Sequence, residues 1–341
     1  MQKINIIKTI LINIIVFVTL LVVTDRLIPV ISNQDSGDND RHIELREHNT
    51  NMDVYIKSKE LKTRVRTDNQ GFIIGPEYNL NQKADFIFLG GSTTESSLVD
   101  EDKRFPYLSI KKLNNQINSE FMSLNGGVSG SNLYHSYINL VSKVISLEPR
   151  YVIVMNAIND YSYLSKYPSY FVGPRKPVIE DKMSTYVFLK RIKDFFIPNL
   201  YTSIRSIFSL ADLGSIPGGP DRLKIEEKSI DPLKEYEKVL RIFISTAREF
   251  EVEPILMTQF NNYENEKILS TSEYKEYSLF NSKIREISQE FELTLIDLDS
   301  IVPKSSNFFY DGAHLNNLGS EFVSEKIKEV LITLLENERF N

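Results

Sequence analysis

From Ala84 onward the chain alternates short apolar runs with segments whose apolar residues recur every three or four positions. The runs predict buried strands and the periodic segments predict amphipathic helices. Strands are expected at Phe86–Leu89, Phe121–Leu124, Tyr151–Met155, Ile255–Gln259 and Leu293–Leu298. A helix is expected over Arg104–Ile117, with Pro106 tolerated in its first turn. Further helical stripes are Tyr134, Tyr137, Val141 and Val144; Leu233, Tyr236, Leu240, Phe243, Ala247 and Phe250; and Tyr277, Phe280, Ile284, Ile287 and Phe291. A last stripe is Leu315, Leu318, Phe322, Ile327, Val330 and Leu334. Asp231-Pro232 reads as an N-cap followed by proline at the first helical position. Five strands alternating with helices predict an α/β fold, a doubly wound five-stranded parallel sheet. In the order 2-1-3-4-5 the switch point, where ligands bind, lies between the first and third strands.

Ahead of this domain the pattern differs. Thr9–Thr24 is uncharged throughout, and extended back to Ile4 with Lys8 snorkelling it predicts a helix of about 31 Å, enough for a bilayer core of ~30 Å. Lys3 and Lys8 before the span put the N-terminus in the cytoplasm and the rest of the chain outside. A cleaved signal peptide is the alternative, but no A-x-A-like site follows the run; a buried core helix fits a terminal, all-round apolar segment less well. The expectation is an uncleaved anchor over residues 1–26 and a linker and extension over 27–83, then a domain over 84–341 with an insertion at 161–230. Ser32–Arg41 reads as linker and Thr63–Ile74 as a hairpin turning at Asp68–Gly71, with His42 and His48 on solvated surface. In the insertion, the basic-aromatic stretch Tyr186–Leu210 reads either as a lid or as a peripheral helical patch.

Charge and composition narrow the field. The net charge of −6, without a Lys/Arg-rich block, argues against nucleic acid as a partner. The absence of cysteine excludes disulfides, thiolate metal sites and a cysteine nucleophile. His42, His48, His135 and His314 form no metal-ligand spacing, no Gly-Lys-Ser/Thr follows the glycines at 90–91, and no cofactor or metal is expected. His135, in the helix after Gly130, reads as structural.

The candidate chemistry sits at strand ends. In DFIFLGGSTTE a strand breaks at Gly90-Gly91 and presents Ser92 at its carboxyl end, as a nucleophile or as an N-cap. A serine needs a base, and His314 in YDGAHLNNLG is the histidine placed for it, with Asp311 three residues upstream to fix its tautomer. Acyl transfer also needs donors for a developing oxyanion. The candidates are the Ser92 amide, the Gly130 amide and the Asn159 side chain. Each has a plainer reading: Gly130 as a turn, Asn159 and His314 as helix caps, Asp311 as a solvated turn residue.

Four ordered blocks, GGST at Gly90–Thr93, GVSG at Gly127–Gly130, AIND at Ala157–Asp160 and DGAH at Asp311–His314, resemble the SGNH (GDSL-type) hydrolases, in the version of membrane-anchored bacterial relatives. The resemblance spans about Ala84–Leu335. It implies the flavodoxin-like strand order and a catalytic triad of Ser92, His314 and Asp311. It also implies an oxyanion hole of Ser92, Gly130 and Asn159. Gly91 departs from the usual aspartate of GDS, and Ala157 from the usual glycine of GxND. Neither the α/β-hydrolase G-x-S-x-G elbow nor a P-loop fits. The function implied is an extracytoplasmic serine esterase acting on acyl, expectedly acetyl, esters of cell-envelope glycans or lipids. An O-acyltransferase on a surface polysaccharide and a non-catalytic glycan-binding module are the alternatives.

Overall fold

The computed structural model describes residues 12–13, 16–24, 46–58, 61–171, 231–263 and 269–340. The chain divides into two compact units, Met1–Ile43 with Pro174–Glu226, and Glu44–Gly173 with Glu227–Asn341. Of the first, residues 12–13 and 16–24 are described, and they are helical. Among the described residues no helix is long and apolar enough to cross a membrane. Much of the predicted Ile4–Thr24 span, the Ser32–Arg41 linker, His42 and the Tyr186–Leu210 stretch lie outside the described residues.

The second unit is built on a five-stranded parallel sheet. Its strands are β3 (Phe86–Gly90), β4 (Ser123–Gly127), β5 (Tyr151–Met155), β6 (Glu253–Met257) and β7 (Leu295–Ile296), in the order β4-β3-β5-β6-β7. Numbered within the sheet this is 2-1-3-4-5, so the switch point lies between β3 and β5. Strands β3 and β5 are buried residue by residue, as a sheet covered on both faces requires.

Alternation along the strands feeds two cores. Ile87, Leu89, Val152 and Val154 face one layer, with α3 (Leu133–Asn139), α5 (Pro232–Glu249) and α6 (Thr271–Glu290). Phe86, Phe88, Ile153 and Met155 face the other, with α2 (Phe105–Ile117) and α8 (Asn317–Phe340). Three further helices are α1 (Ser92–Glu95), α4 (Ile158–Leu164) and α7 (Leu298–Ile301). As the sequence predicts, the Asp231 carboxylate caps α5, accepting from the Leu233 amide at 3.0 Å.

The differences from expectation have local causes. Strand β4 runs on to Gly127, because Asn125 pairs with Phe88 on one side and bridges Ile73 on the other. The hairpin lies upstream of the predicted one, between β1 (Asp53–Ser58) and β2 (Leu61–Arg66). The Asp68–Gly71 turn does form, closed by a single Thr67–Ile73 bridge. Helix α3 gives way to a π turn at Leu140–Val144, and its buried face is Leu133, Leu140 and Val144, with Val141 exposed. In α8 the buried ladder is Val323, Ile327, Leu331 and Leu335, and Leu318 is exposed. Phe250, beyond the end of α5, is exposed as well.

Candidate active site

Ser92 follows Gly91 at the carboxyl end of β3 and opens α1. Its Oγ lies 2.8 Å from His314 Nε2. On the other side of the ring, His314 Nδ1 is 2.8 Å from Asp311 Oδ2 and 3.0 Å from Oδ1. Nδ1–H donates to the carboxylate, which leaves Nε2 unprotonated and able to accept the Ser92 hydroxyl proton. The three side chains thus form one continuous chain across 222 residues of sequence.

The loop that holds Asp311 and His314 is pinned at its base. Phe309 and Leu315 form an antiparallel bridge, the Tyr310 amide donates to the His314 carbonyl at 2.7 Å, and the Asn262 amide donates to Gly312 at 2.8 Å. Asp311 Oδ1 also accepts from the amides of Ala313 and His314, each at 2.8 Å. Burial works to raise the Asp311 carboxyl. The His314 contact and the two amides outweigh it and hold the group below the ordinary carboxylate range.

Asn159 is tied to the loop that carries Gly130 through one carbonyl. Ser131 O accepts from Asn159 Nδ2 at 2.8 Å and from Asn156 Nδ2 at 3.2 Å. A Cβ placed on Gly91 would stand 2.5 Å from Asn159 Nδ2 and 3.1 Å from Ser131 O. Gly91 has ordinary backbone angles, φ −88° and ψ −157°, so what a side chain here would disturb is the close approach of Asn159. The departure from GDS is therefore part of this site's packing. Gly130 has φ +76°, a conformation that favours glycine, and Arg46 Nη2 would lie 2.5 Å from a Cβ there. All five predicted site residues, Ser92, Gly130, Asn159, Asp311 and His314, converge at the carboxyl ends of β3, β4 and β5 and on the loop before α8. Strand order and block placement agree with the resemblance. The observed architecture is a five-stranded parallel α/β sheet in the order the resemblance implies.

Three solved structures illustrate what this chain is similar to. The acetyl xylan esterase AlAXEase is 16% identical at TM-score 0.45, covering 72% of this chain and 98% of that one. A protein described as a GDSL-like lipase from Parabacteroides merdae is 14% identical at TM-score 0.46, with coverage of 75% and 98%. A catalytic mutant of an acetylxylan esterase from Geobacillus stearothermophilus is 14% identical at TM-score 0.45, with coverage of 74% and 96%. No family model and no curated protein matches the chain.

Several residues around the site carry no sequence signal of their own. His48 is half-buried and its Nε2–H donates to the Gly127 carbonyl at 3.1 Å, which corrects its reading as solvated surface. Beside it, Glu47 pairs with the buried Lys143 at 2.9 Å, and Arg46 Nε donates to Ser129 O at 2.9 Å. Residues 46–48 thus lie along the loop that carries Gly130. Glu95, the last residue of GGSTTE, is buried and accepts from the Ser129 hydroxyl. His135 closes a capping box with Asn132 and is structural, as expected.

Gln259 follows β6 and is buried, 2% exposed. Its Oε1 accepts from the Ile158 amide at 2.9 Å, and its Nε2 donates to Thr93 Oγ1 at 3.2 Å. Only its long reach from β6 could have drawn notice to it, and that reach is invisible without the fold.

Proposed function

We propose that this chain is a serine esterase. The observation that carries the reading is the unbroken Ser92–His314–Asp311 hydrogen-bond chain at the sheet's switch point. Ser92 Oγ attacks the ester carbonyl carbon as His314 Nε2 takes the hydroxyl proton. The carbonyl oxygen becomes an oxyanion, stabilised by the amides of Ser92 and Gly130 and by Asn159 Nδ2. Asn159 has two N–H donors, and one is already on Ser131 O, so its second is the one available for the oxyanion. The intermediate collapses as His314 returns its proton to the departing alkoxide, which leaves an acyl-Ser92. Water, deprotonated by the same histidine, then releases the acid.

Acyl, expectedly acetyl, esters on cell-envelope glycans or lipids are the proposed substrates. The uncharged Thr9–Thr24 run with Lys3 and Lys8 before it supports a membrane anchor that leaves the domain outside the cytoplasm. The test pairs the chain with its Ser92→Ala variant, exposed to a fluorophosphonate probe and to p-nitrophenyl acetate. Labelling and hydrolysis are expected in the parent alone. A well-folded parent that neither labels nor hydrolyses would refute the esterase reading and favour a glycan-binding module. A parent that labels but passes acetyl from a labelled donor to a sugar hydroxyl, with no free acid, would favour the transferase.

A further inference from the structure

We propose that Gln259 is a positioning residue that holds the nucleophile turn and the oxyanion-asparagine turn in one fixed geometry. The proposal rests on the esterase reading of the site. Helix α4 has Ala157 at its N-cap, and Ala157 offers no side-chain acceptor, so the Ile158 amide is an orphan donor at the helix start. Gln259 Oε1 reaches across from the end of β6 and accepts it at 2.9 Å. The other end of the same amide donates to Thr93 Oγ1 at 3.2 Å. One side chain therefore ends one residue from Ser92 and one residue from Asn159.

The bridge is itself anchored. The Gln259 amide donates to Asn281 Oδ1 at 2.9 Å, and its carbonyl accepts from Asn281 Nδ2 at 3.0 Å and from the Tyr277 hydroxyl at 3.1 Å. Asn281 and Tyr277 are fully buried on α6. A side chain clamped at its backbone and bonded at both polar ends has no free rotamer, and it transmits the position of α6 and β6 to both turns. Capping α4 alone would stabilise the fold. The bond to Thr93 adds nothing to α4, and its geometric effect is to set Ser92 against Asn159, the attacking atom against the charge-stabilising donor.

The test uses the full chain and the variants Thr93→Val, Thr93→Ser, Gln259→Met and the double Thr93→Val/Gln259→Met, read by kcat and KM on p-nitrophenyl acetate, by fluorophosphonate labelling rate and by thermal unfolding. Thr93→Val removes the hydroxyl and keeps side-chain shape, so it tests the bridge even if Gln259→Met folds poorly. Thr93→Val is expected to lower kcat about 10-fold or more, with KM nearly unchanged and the labelling rate falling in step. Thr93→Ser, which keeps the hydroxyl, is expected to restore kcat. The double variant is expected to lose no more kcat than Gln259→Met, because the two residues act as one unit. Folded Thr93→Val and Gln259→Met proteins with parental kcat, or additive losses in the double, would overturn the positioning role while leaving the esterase intact. A parent inert to probe and ester alike would remove the esterase reading and this proposal with it.

Discussion

At the scale of single residues, the site depends on one missing side chain as much as on those present. Gly91 replaces the aspartate of the usual GDS block, and from the sequence alone the change looks merely tolerable. The structure gives it a reason, since a Cβ there would press on Asn159 Nδ2 at 2.5 Å. Gly91→Ala is expected to push Asn159 off its proposed oxyanion position and lower kcat about 100-fold, the effect of losing one such donor. Its backbone angles suit alanine, so the unfolding temperature should stay near the parental value; steady-state kinetics beside a thermal melt reads both. The same crowding predicts that the family's own aspartate would be no better accepted here. The triad residues were legible in sequence because nucleophile, base and orienting acid come from a short list of residue types. Gln259 was not, because a buried glutamine has no chemical signature until its two partners are known.

At the scale of elements, a buried carboxylate and a half-buried histidine both act at the start of α3. Asp160, in the first turn of α4, is fully buried and accepts from the Leu133 amide at 2.8 Å and from the Tyr170 hydroxyl. Burial pushes its carboxyl up to about 7, despite those bonds. His135 accepts the Asn132 amide on Nδ1 at 3.2 Å, a contact that needs the neutral ring. Burial, with the Arg46 charge nearby, lowers it to about 4. The two act on stability with opposite sign. Asp160 binds its proton more tightly folded than unfolded, so its contribution is full below about pH 4 and is lost as the pH rises through 7. His135 binds its proton less tightly when folded, so its contribution is present above about pH 6.5 and is lost as the pH falls toward 4. Asp160→Asn, which keeps an acceptor oxygen, is expected to raise the melting temperature at pH 8 and flatten the decline between pH 5 and 8. His135→Gln, which can still close the capping box, is expected to remove the acid-side loss between pH 6.5 and 4. Melting temperatures of parent and variants across that range check both. Elements with a polar face were placed well from periodicity, as in α5. In α8 the stripe agrees at Ile327 but falls one residue short of Val323, Leu331 and Leu335, because apolar residues occur nearly all round the helix and mark no single face.

At the scale of the whole molecule, the sheet and the segment ahead of it act together. Residues 46–48 lie against the Gly127–Gly130 loop, and Glu47 neutralises Lys143, which is only 4% exposed. A fragment beginning at Asn51 loses all of these contacts, whereas one beginning at Glu44 keeps them. The shorter fragment is expected to melt about 5–10 °C lower, from leaving a buried lysine without that partner, and to lose kcat as the loop loosens. Equal melting temperatures and activities in the two fragments would show the segment to be dispensable. The sequence by itself determined the fold class and singled out Ser92, Gly130, Asn159, Asp311 and His314 as candidates, while the strand order came with the resemblance those blocks carry. Apolar runs buried on both faces, helical periodicity and a reactive triad are each written in local residue patterns. Only the tertiary structure decided that a side chain at Gly91 would press on Asn159, that Gln259 joins two turns and that His48 bonds the loop that carries Gly130. Those depend on which distant atoms come within about 3 Å of one another, a distance that no spacing along the chain encodes.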